Sequence, residues 1–285
     1  MVASTQGNVL EIINFEKGKR KMKKATKKEI FAIYGIEYDR KTNKIYHPVL
    51  GWINLLLING NAKIGKGAYH FSTLPTNKLF HVAFCGMEID IKGTCPCSCV
   101  GCYATKGNYR FQSTIKALAI RTWLVYNDLD FVKSAIIAQI KACNIKMCRI
   151  HASGDFCNIE YINTWKEIVK ACEACIFWSY TKNAIAENAF DNFDNINIVK
   201  SCIQGIGFNF GTCAYIIKVY NVLKEMNKKV YICRCGVDKN QHCTNCGGCS
   251  KNEYVLFIEH STSYIAENDP LFNELKEIIE GQPKI

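Results

Sequence analysis

The chain has 285 residues, of which 48% are hydrophobic and 21% charged, and its formal net charge is +11. This is the composition of a globular protein, long enough for one large domain or a domain with a small module. No apolar run reaches the roughly 18 to 20 residues that would span a bilayer, and the basic cluster near the N-terminus follows the short apolar segment, unlike a signal peptide. The sequence therefore predicts a cytoplasmic protein that makes no membrane contact.

We interpret residues 1–78 as an N-terminal appendage. Residues 17–28 carry eight Lys or Arg and no acid. Such a run attracts phosphate and could contact nucleic acid, although we favour a solvated surface segment. Alternating residues around a turn at 40–43 predict a hairpin over 36–47. Residues 49–57 are apolar enough for either a strand or a buried helix.

Residues 79–230 form the predicted α/β core, in which strands alternate with helices. The predicted strands cover residues 80–84, 147–150, 176–180, 196–199 and 229–233. The predicted helices cover residues 114–126, 130–143, 159–171, 184–190 and 214–226, with Asn158 as the N-cap of the third. This alternation predicts a parallel sheet, open or closed into a partial barrel, with functional residues in the loops after the strands.

The third predicted unit, residues 231–285, is a cysteine-rich metal-binding segment with a strand at 254–259 and a final helix at 271–279. The chain has 17 cysteines. In a reducing cytosol, clustered cysteines bind metal more often than they form disulfides, and dispersed cysteines are small buried hydrophobes. We place the pair Cys172 and Cys175 in the dispersed, structural group.

Four cysteines fall within eight residues of one loop: Cys95, Cys97, Cys99 and Cys102. With the spacing Cys95-x3-Cys99-x2-Cys102, three thiolates can hold three irons of a [4Fe-4S] cluster and leave the fourth iron open to a small ligand. Gly101 allows the backbone to approach such a cluster closely. Zinc prefers paired CxxC motifs and stays possible if a remote residue completes the site. Cys97 has no assigned role.

A second cluster, Cys243-x2-Cys246-x2-Cys249 with Cys233 or Cys235 upstream, supplies four or five thiolates. This pattern is typical of a metal site. It suits a zinc knuckle with Cys235, Cys243, Cys246 and Cys249 as ligands, and it also suits an auxiliary [4Fe-4S] cluster. A zinc ion would clamp the end of the chain and stabilise the fold.

The first cysteine loop resembles the cluster motif of the radical S-adenosylmethionine (radical SAM) enzymes. Tyr103 follows the last cysteine, whereas that superfamily usually has an aromatic residue before it. The segment Ser153-Gly154-Asp155-Phe156 is similar to the glycine–acid motif that contacts the amino group of the cofactor in those enzymes. An alternative is that Asp155 caps the following helix.

This resemblance implies that Cys95, Cys99 and Cys102 ligate a [4Fe-4S] cluster. It also implies a binding site for S-adenosylmethionine. The residues of this site would be Tyr103, Ser153, Gly154, Asp155, Tyr180, Lys182 and Ser201.

Several segments taken together resemble the phage gene product 88 family. They are Phe-Ser-Thr-Leu-Pro at 71–75, the cysteine loop at 94–107, the segment 149–156, Tyr161, Trp165, the segment 177–183 and the cysteine-rich tail. The resemblance extends over roughly residues 60–260. It implies a radical-SAM-type fold and cofactor more than it implies a substrate.

We therefore expect an iron–sulfur enzyme of the radical SAM type that acts on an unknown substrate and takes electrons from a donor such as flavodoxin or ferredoxin. The alternative is a zinc-stabilised nucleic-acid-binding protein of phage or mobile-element origin. Its support is the basic run, the two cysteine clusters and aromatic side chains that could stack on bases, namely Tyr109, Trp178 and Tyr180.

Overall fold

The computed structural model describes residues 2–6, 9–16, 19–60, 64–97, 102–203, 207–236, 238, 241–258 and 266–282. In chain order, its strands are β1 (Val2–Gln6), β2 (Val9–Glu16), β3 (Lys19–Lys24), β4 (Tyr38–Asp39), β5 (Lys44–His47), β6 (Gly51–Asn54), β7 (Ile58–Asn59), β8 (Ala68–Phe71), β9 (Leu79–Phe84), β10 (Met87–Lys92), β11 (Met147–Ile150), β12 (Ile176–Thr181), β13 (Ile196–Lys200), β14 (Cys202–Ile203), β15 (Gly207–Phe208), β16 (Phe210–Gly211), β17 (Val230–Ile232) and β18 (Tyr254–Ile258). Its helices are α1 (Lys27–Ile33), α2 (Gln112–Asn127), α3 (Leu129–Cys143), α4 (Ile159–Ala171), α5 (Ala184–Glu187), α6 (Cys213–Glu225), α7 (Cys243–Cys246) and α8 (Phe272–Gly281). No helix in the described ranges combines the length and the apolarity needed to cross a bilayer.

Within the predicted appendage, strands β1 to β6 form two small antiparallel sheets. β1, β2 and β3 pair in that order, so the described part of the basic run lies along β3 and in α1. α1 begins at a capping box in which the Thr26 hydroxyl accepts from the Glu29 amide and the Glu29 carboxylate accepts from the Thr26 amide. β4 and β5 form the hairpin expected from the sequence, and β6 adds a third strand to it.

The central sheet has the strand order β13-β12-β11-β8-β7. β8, β11, β12 and β13 run parallel, and β7 is an antiparallel edge strand. In this register Arg149 of β11 lies opposite His70 of β8 and Trp178 of β12. The loops after the four parallel strands therefore emerge at one edge of the sheet.

The first parallel strand is not the one that the sequence predicts. Residues 80–84 belong to β9, which pairs with β10 in an antiparallel hairpin outside the central sheet. The strand that pairs with β11 at this position of the central sheet is β8. β8 is short and contains Tyr69 and His70, so it lacks the apolar run from which a buried strand is predicted. β10 alternates the exposed Glu88 and Asp90 with apolar residues, which is the pattern of a strand with one solvated face.

The two faces of the central sheet are covered by different parts of the chain. On one face, the fully buried Cys148 and Phe177 share a hydrophobic core with side chains of α2, α3 and α4. The pair Cys172 and Cys175 is buried in this core, as predicted. On the opposite face, Trp178 packs against cysteines of the C-terminal segment.

The hydrophobic cores do not follow the predicted unit boundaries. The main core extends from Phe31 in α1 to Phe190, across the boundary at residue 78, and β8 shares a sheet with β11. A separate core joins α6 to β17, β18 and α8. α6 therefore packs with strands and a helix of the C-terminal unit.

The described strands form six sheets, of which the central sheet is the largest. β13 approaches the C-terminal unit, where the Lys200 amide donates to the Glu253 carbonyl at 3.3 Å. No closed barrel is formed by the strands in the described ranges. The partial barrel therefore stays a prediction.

Replacing Trp165 with Ala should lower the free energy of unfolding by about 3–5 kcal/mol. Trp165 is fully buried, and its ring centroid lies 5.6 Å from that of Phe71 and 6.5 Å from that of Phe177. Trp52 is 43% exposed, so the matched control Trp52→Ala should lose only about 1 kcal/mol. Urea denaturation measures both variants, and equal losses would contradict the placement of Trp165 in the core.

Candidate functional site

The loops at the carboxyl edge of the central sheet are hydrogen-bonded to one another. The Thr73 amide donates to the Ser153 carbonyl at 2.9 Å, and the Ser153 hydroxyl donates to the Thr73 carbonyl at 2.8 Å. At the neighbouring strands, the Ser201 amide donates to the Thr181 carbonyl at 2.9 Å. Two of the predicted cofactor-binding residues, Ser153 and Ser201, are therefore buried within the strand ends.

Asp155 joins the end of β11 to the end of β12. Its Oδ1 accepts from the Thr181 hydroxyl at 2.6 Å and from the Phe156 amide at 2.8 Å, and its Oδ2 accepts from the Lys182 amide at 2.9 Å. Burial raises the pKa of this carboxyl to about 6, although the hydrogen bonds act in the opposite direction. The alternative that Asp155 caps the next helix is wrong, because Asn158 is the N-cap of α4.

Gly154 lets the first cysteine loop approach the end of β11. Its φ is +87°, and a Cβ atom at this position would collide with Thr73 Oγ1 and lie 2.6 Å from Thr94 Oγ1. Thr94 Oγ1 accepts from the Asp155 amide at 3.0 Å and shares a hydrogen bond with Thr73 Oγ1 at 2.7 Å. The residue directly before Cys95 is thereby held at the sheet edge.

The first cysteine loop is described up to residue 97 and again from residue 102. Cys95 is half-buried, and its amide donates to the Thr76 carbonyl at 3.1 Å. Cys102 is also half-buried, whereas Cys97 is exposed. Cys99 lies outside the described residues, so the structure gives only the two ends of the predicted iron-ligand set.

A cavity of about 720 Å³ opens beside Cys95. Its walls include Trp123 and Tyr126 of α2, Cys157 and the end of β10. The Tyr126 hydroxyl donates to the Gly93 carbonyl at 3.2 Å, and burial, reinforced by Cys157, raises the pKa of Tyr126 to about 12. One of the predicted iron ligands thus faces a space large enough for a small molecule.

After the first cysteine loop, the side chain of Tyr103 lies beside the end of β11. Its hydroxyl donates to the Ala152 carbonyl, as does the Tyr109 hydroxyl at 3.3 Å. Arg149 Nη2 donates to the Tyr103 oxygen at 3.3 Å, and the Arg149 guanidinium lies 4.6 Å from the ring centroid of Tyr180. Arg149 was not among the predicted site residues, because its contacts depend on partners that are distant in the sequence.

The cysteines of the C-terminal segment surround one small cavity of about 10 Å³. Its five thiols are those of Cys233, Cys235, Cys243, Cys246 and Cys249. Hydrogen bonds with Cys233 and Cys243, together with burial, raise the pKa of Cys235. In the part of the chain that the structure describes, no group of three or more Cys, His, Asp or Glu side chains is arranged so that it could hold a metal ion as it stands.

Two tyrosine hydroxyls point at sulfur atoms of this second cluster. The Tyr180 hydroxyl donates to Cys249 Sγ at 2.6 Å, and the Tyr231 hydroxyl lies 3.3 Å from Cys246 Sγ. The sequence resemblance assigns Tyr180 to the S-adenosylmethionine site, whereas its hydroxyl reaches the second cluster here. Tyr231 was missed, and its only signal was its place in the strand that leads into the cysteines.

These features define an α/β protein whose parallel sheet carries helices on one face and a thiol-rich segment on the other. The chain belongs to the gene product 88 family, whose model, described as "Gene product 88", matches residues 55–205. The Gene 88 protein of Mycobacterium phage L5 is 24% identical over 257 residues, which cover 77% of this chain and 95% of that protein. No solved structure matches the chain.

The family resemblance inferred from the sequence motifs is thereby confirmed. Neither the family description nor the name of the phage protein mentions a cofactor or a reaction. The radical SAM interpretation therefore stays a prediction.

Replacing Asp155 with Asn should change how stability depends on pH. The pKa of this carboxyl is raised to about 6 in the folded protein from an ordinary value of 3.8, so the folded state holds the proton more tightly than the unfolded state. The stabilising contribution is therefore present below about pH 4 and is lost as the pH rises through about 6, by on the order of 3 kcal/mol. Because asparagine does not titrate, the unfolding free energy of the wild type relative to Asp155→Asn should fall over this range.

Urea denaturation at a series of pH values measures this difference. The exposed Asp191 offers a control, since the wild type and Asp191→Asn should keep a nearly constant difference. A difference between the wild type and Asp155→Asn that stays constant or grows with pH would show that the Asp155 carboxyl does not titrate as described.

Proposed function

We propose that this protein is a cytoplasmic iron–sulfur enzyme of the radical SAM type, with a second, structural metal ion held by its C-terminal cysteines. The observation that carries the proposal is the position of the first cysteine loop. The loop begins at the carboxyl edge of the parallel strands, where the Thr94 hydroxyl is hydrogen-bonded to the Thr73 hydroxyl and to the Asp155 amide. Cys95 follows directly and lines a cavity of about 720 Å³. This edge is where parallel α/β sheets collect ligands and catalytic groups.

Cys95, Cys99 and Cys102 would hold the [4Fe-4S] cluster. The two that are described are half-buried, which suits ligands that face inward from a loop. When bound, the cluster supplies the electron that cleaves S-adenosylmethionine and starts radical chemistry on the substrate. A one-electron donor such as flavodoxin or ferredoxin would serve the enzyme.

The residues at the strand ends would position the loop and the cofactor. The Asp155 carboxylate already accepts three hydrogen bonds, so its role would be to hold β11 against β12. Gly154 leaves the space that Thr94 occupies. Tyr103 would hold the end of the loop in place through its hydrogen bond to the Ala152 carbonyl. Each of these residues would therefore be a positioning residue, which holds another group in place.

At the second cluster we favour a single metal ion, with an auxiliary [4Fe-4S] cluster as the alternative. Five thiols surround one small cavity there. No described group of these side chains is arranged to hold an ion as it stands, so binding would have to draw the thiols together. Thiolates of Cys235, Cys243, Cys246 and Cys249 would bind Zn²⁺ in the tetrahedral arrangement that zinc prefers, with Cys233 as the alternative upstream ligand. Binding would release the thiol protons, which makes it dependent on pH.

A zinc-stabilised nucleic-acid-binding protein is the second candidate function. The observation that favours it is the sequence of strand β3, Lys-Arg-Lys-Met-Lys-Lys, which comes just before the capped helix α1 in the chain. Basic segments of this kind bind phosphate backbones without sequence specificity, and such binding weakens steeply with salt.

Metal analysis after anaerobic purification should give about four irons and about four sulfides per chain from the first site, and about one zinc from the second. Cys102→Ser should remove iron and sulfide and keep the zinc. Cys249→Ser should remove the zinc and keep the iron. The exposed Cys85 lies in the turn between β9 and β10 and belongs to neither cluster, so Cys85→Ser should keep iron, sulfide and zinc.

The iron-loaded protein should also consume S-adenosylmethionine under strong reductant, and Cys102→Ser should not. Iron-free protein, or iron-loaded protein that leaves S-adenosylmethionine intact, would sink the enzyme proposal. Two zincs per chain together with salt-sensitive binding to DNA or RNA would instead establish the second candidate function.

Replacing Tyr180 with Phe should weaken metal binding at the second cluster by about 10- to 100-fold, because hydrogen bonds to metal ligands tune their affinity. The variant removes the hydroxyl that donates to Cys249 Sγ at 2.6 Å and keeps the aromatic ring. Competition for zinc with a chromophoric chelator measures the effect. Tyr46→Phe changes a 38% exposed tyrosine in the N-terminal hairpin and should leave zinc affinity unchanged. An unchanged affinity in Tyr180→Phe would exclude the proposed role of the hydroxyl.

A further inference from the structure

Strand β10 has a free edge, since it pairs with β9 alone among the strands that the structure describes. The two strands are joined by a two-residue turn, 85–86, in which both φ angles are positive. Phe84 and Met87 therefore form a hydrogen-bonded pair beside the turn. Along an antiparallel ladder such pairs alternate with pairs whose backbone groups point outward. The N–H and C=O groups of Asp90 and Lys92 therefore point away from β9.

The cavity of about 720 Å³ beside Cys95 follows this free edge, because every one of residues 89–96 lines it. Side chains of a strand alternate between two faces, so a cavity over one face would touch only every second residue. Contact with successive residues of β10 indicates that the cavity runs along the edge of the strand, beside its outward backbone groups. The free edge ends at Lys92, since the next amide, that of Gly93, donates to the Lys78 carbonyl at 3.0 Å.

Helix α2 supplies another wall of the cavity. Trp123 and Tyr126 line it from this helix, and both rings are partly exposed. The Tyr126 hydroxyl donates to the Gly93 carbonyl at 3.2 Å, which ties the helix to the chain just beyond β10. The cavity therefore combines a row of backbone hydrogen-bonding groups with aromatic surface. A space bounded by both a strand and a helix suits one extended chain better than the paired hairpin of a second copy.

We infer that this cavity binds an extended peptide segment, which adds to the free edge of β10 as a third strand. The outward N–H and C=O groups of Asp90 and Lys92 recur every second residue, about 6.8 Å apart, and this repeat matches the backbone of an extended peptide. Trp123 and Tyr126 would contact side chains of the peptide. Because the same cavity reaches Cys95, the peptide would be the substrate of the enzyme. The role as substrate rests on the proposed function, whereas peptide binding does not.

A library of random octapeptides, screened with the full-length protein, supplies the probe for this site. Peptides that the protein retains are resynthesised, and at least one should bind saturably in titration calorimetry. Methylating one amide nitrogen of that peptide at a time should weaken binding by roughly 10-fold or more at every second position. The reason is that only alternate N–H groups of an added strand face its neighbour. The positions between them serve as internal controls and should tolerate the methyl group.

Asp90→Pro tests the same edge from the side of the protein. Proline removes the outward N–H without breaking a hydrogen bond to β9, so peptide binding should weaken by roughly 10-fold or more. Ala83→Pro places proline at an outward position on the opposite edge of the hairpin and should leave binding unchanged. So should His81→Ala, which removes only the partner of the Asp90 carboxylate. If Asp90→Pro does not fold, the methylation pattern with the wild type decides alone.

The inference is overturned if no library peptide binds saturably, or if methylation weakens binding without the two-residue period. It is also overturned if light scattering shows a wild-type dimer that Asp90→Pro converts to a monomer, because a second copy would then cover the edge. Binding of a random single-stranded oligonucleotide that Asp90→Pro abolishes, in the absence of peptide binding, would overturn it as well.

Failure of this inference is separable from failure of the proposed function. Peptide binding with the two-residue period in protein that leaves S-adenosylmethionine intact would support the peptide site and reject its role in a radical enzyme. Consumption of S-adenosylmethionine by protein that binds no library peptide would reject the peptide site alone. Iron and zinc contents of Asp90→Pro should equal those of the wild type, so that a loss of peptide binding is not a loss of metal.

Discussion

The candidate site depends on the hydrogen bonds that Asp155 makes at the carboxyl edge of the central sheet. Its carboxylate joins β11 to β12, and its amide holds Thr94, the residue before the first cysteine loop. Burial raises the pKa of the carboxyl to about 6, so ionisation is opposed by the surroundings. The same low-dielectric surroundings strengthen each hydrogen bond that the carboxylate accepts. The position of the loop is therefore set by the sheet, through one buried side chain.

The two faces of the central sheet are covered differently, and the C-terminal cysteines help to cover one of them. Helices bury one face with ordinary aliphatic and aromatic residues. The opposite face presents Met147 and Trp178 to a segment in which cysteines supply much of the apolar contact. A protonated thiol packs as a small hydrophobe, whereas a thiolate binds metal. A metal ion would therefore cross-link the covering segment, and its binding free energy would contribute to the stability of the fold.

Local patterns in the sequence were sufficient to predict helices α2, α3 and α4, strands β11 and β12, and the N-cap Asn158. Tyr161 and Trp165, which helped to identify the family, are fully buried, so part of the recognisable pattern reflects packing. What the sequence did not reveal depends on residues far apart in the chain. Strand β8 is defined by its pairing with β11, and the Tyr180 hydroxyl meets Cys249, which lies 69 residues away. Neither contact leaves a periodic signal.

Arg149 connects the electrostatics of the two cysteine segments. On one side its Nη2 donates to Tyr103, the neighbour of Cys102. On the other its guanidinium lies over the ring of Tyr180, whose hydroxyl donates to Cys249. Thiolates at the second cluster would stabilise this cation, and so the charge of that cluster would act on the guanidinium that contacts Tyr103. The two cysteine clusters, separate in the sequence, are thus electrostatic neighbours through one buried arginine.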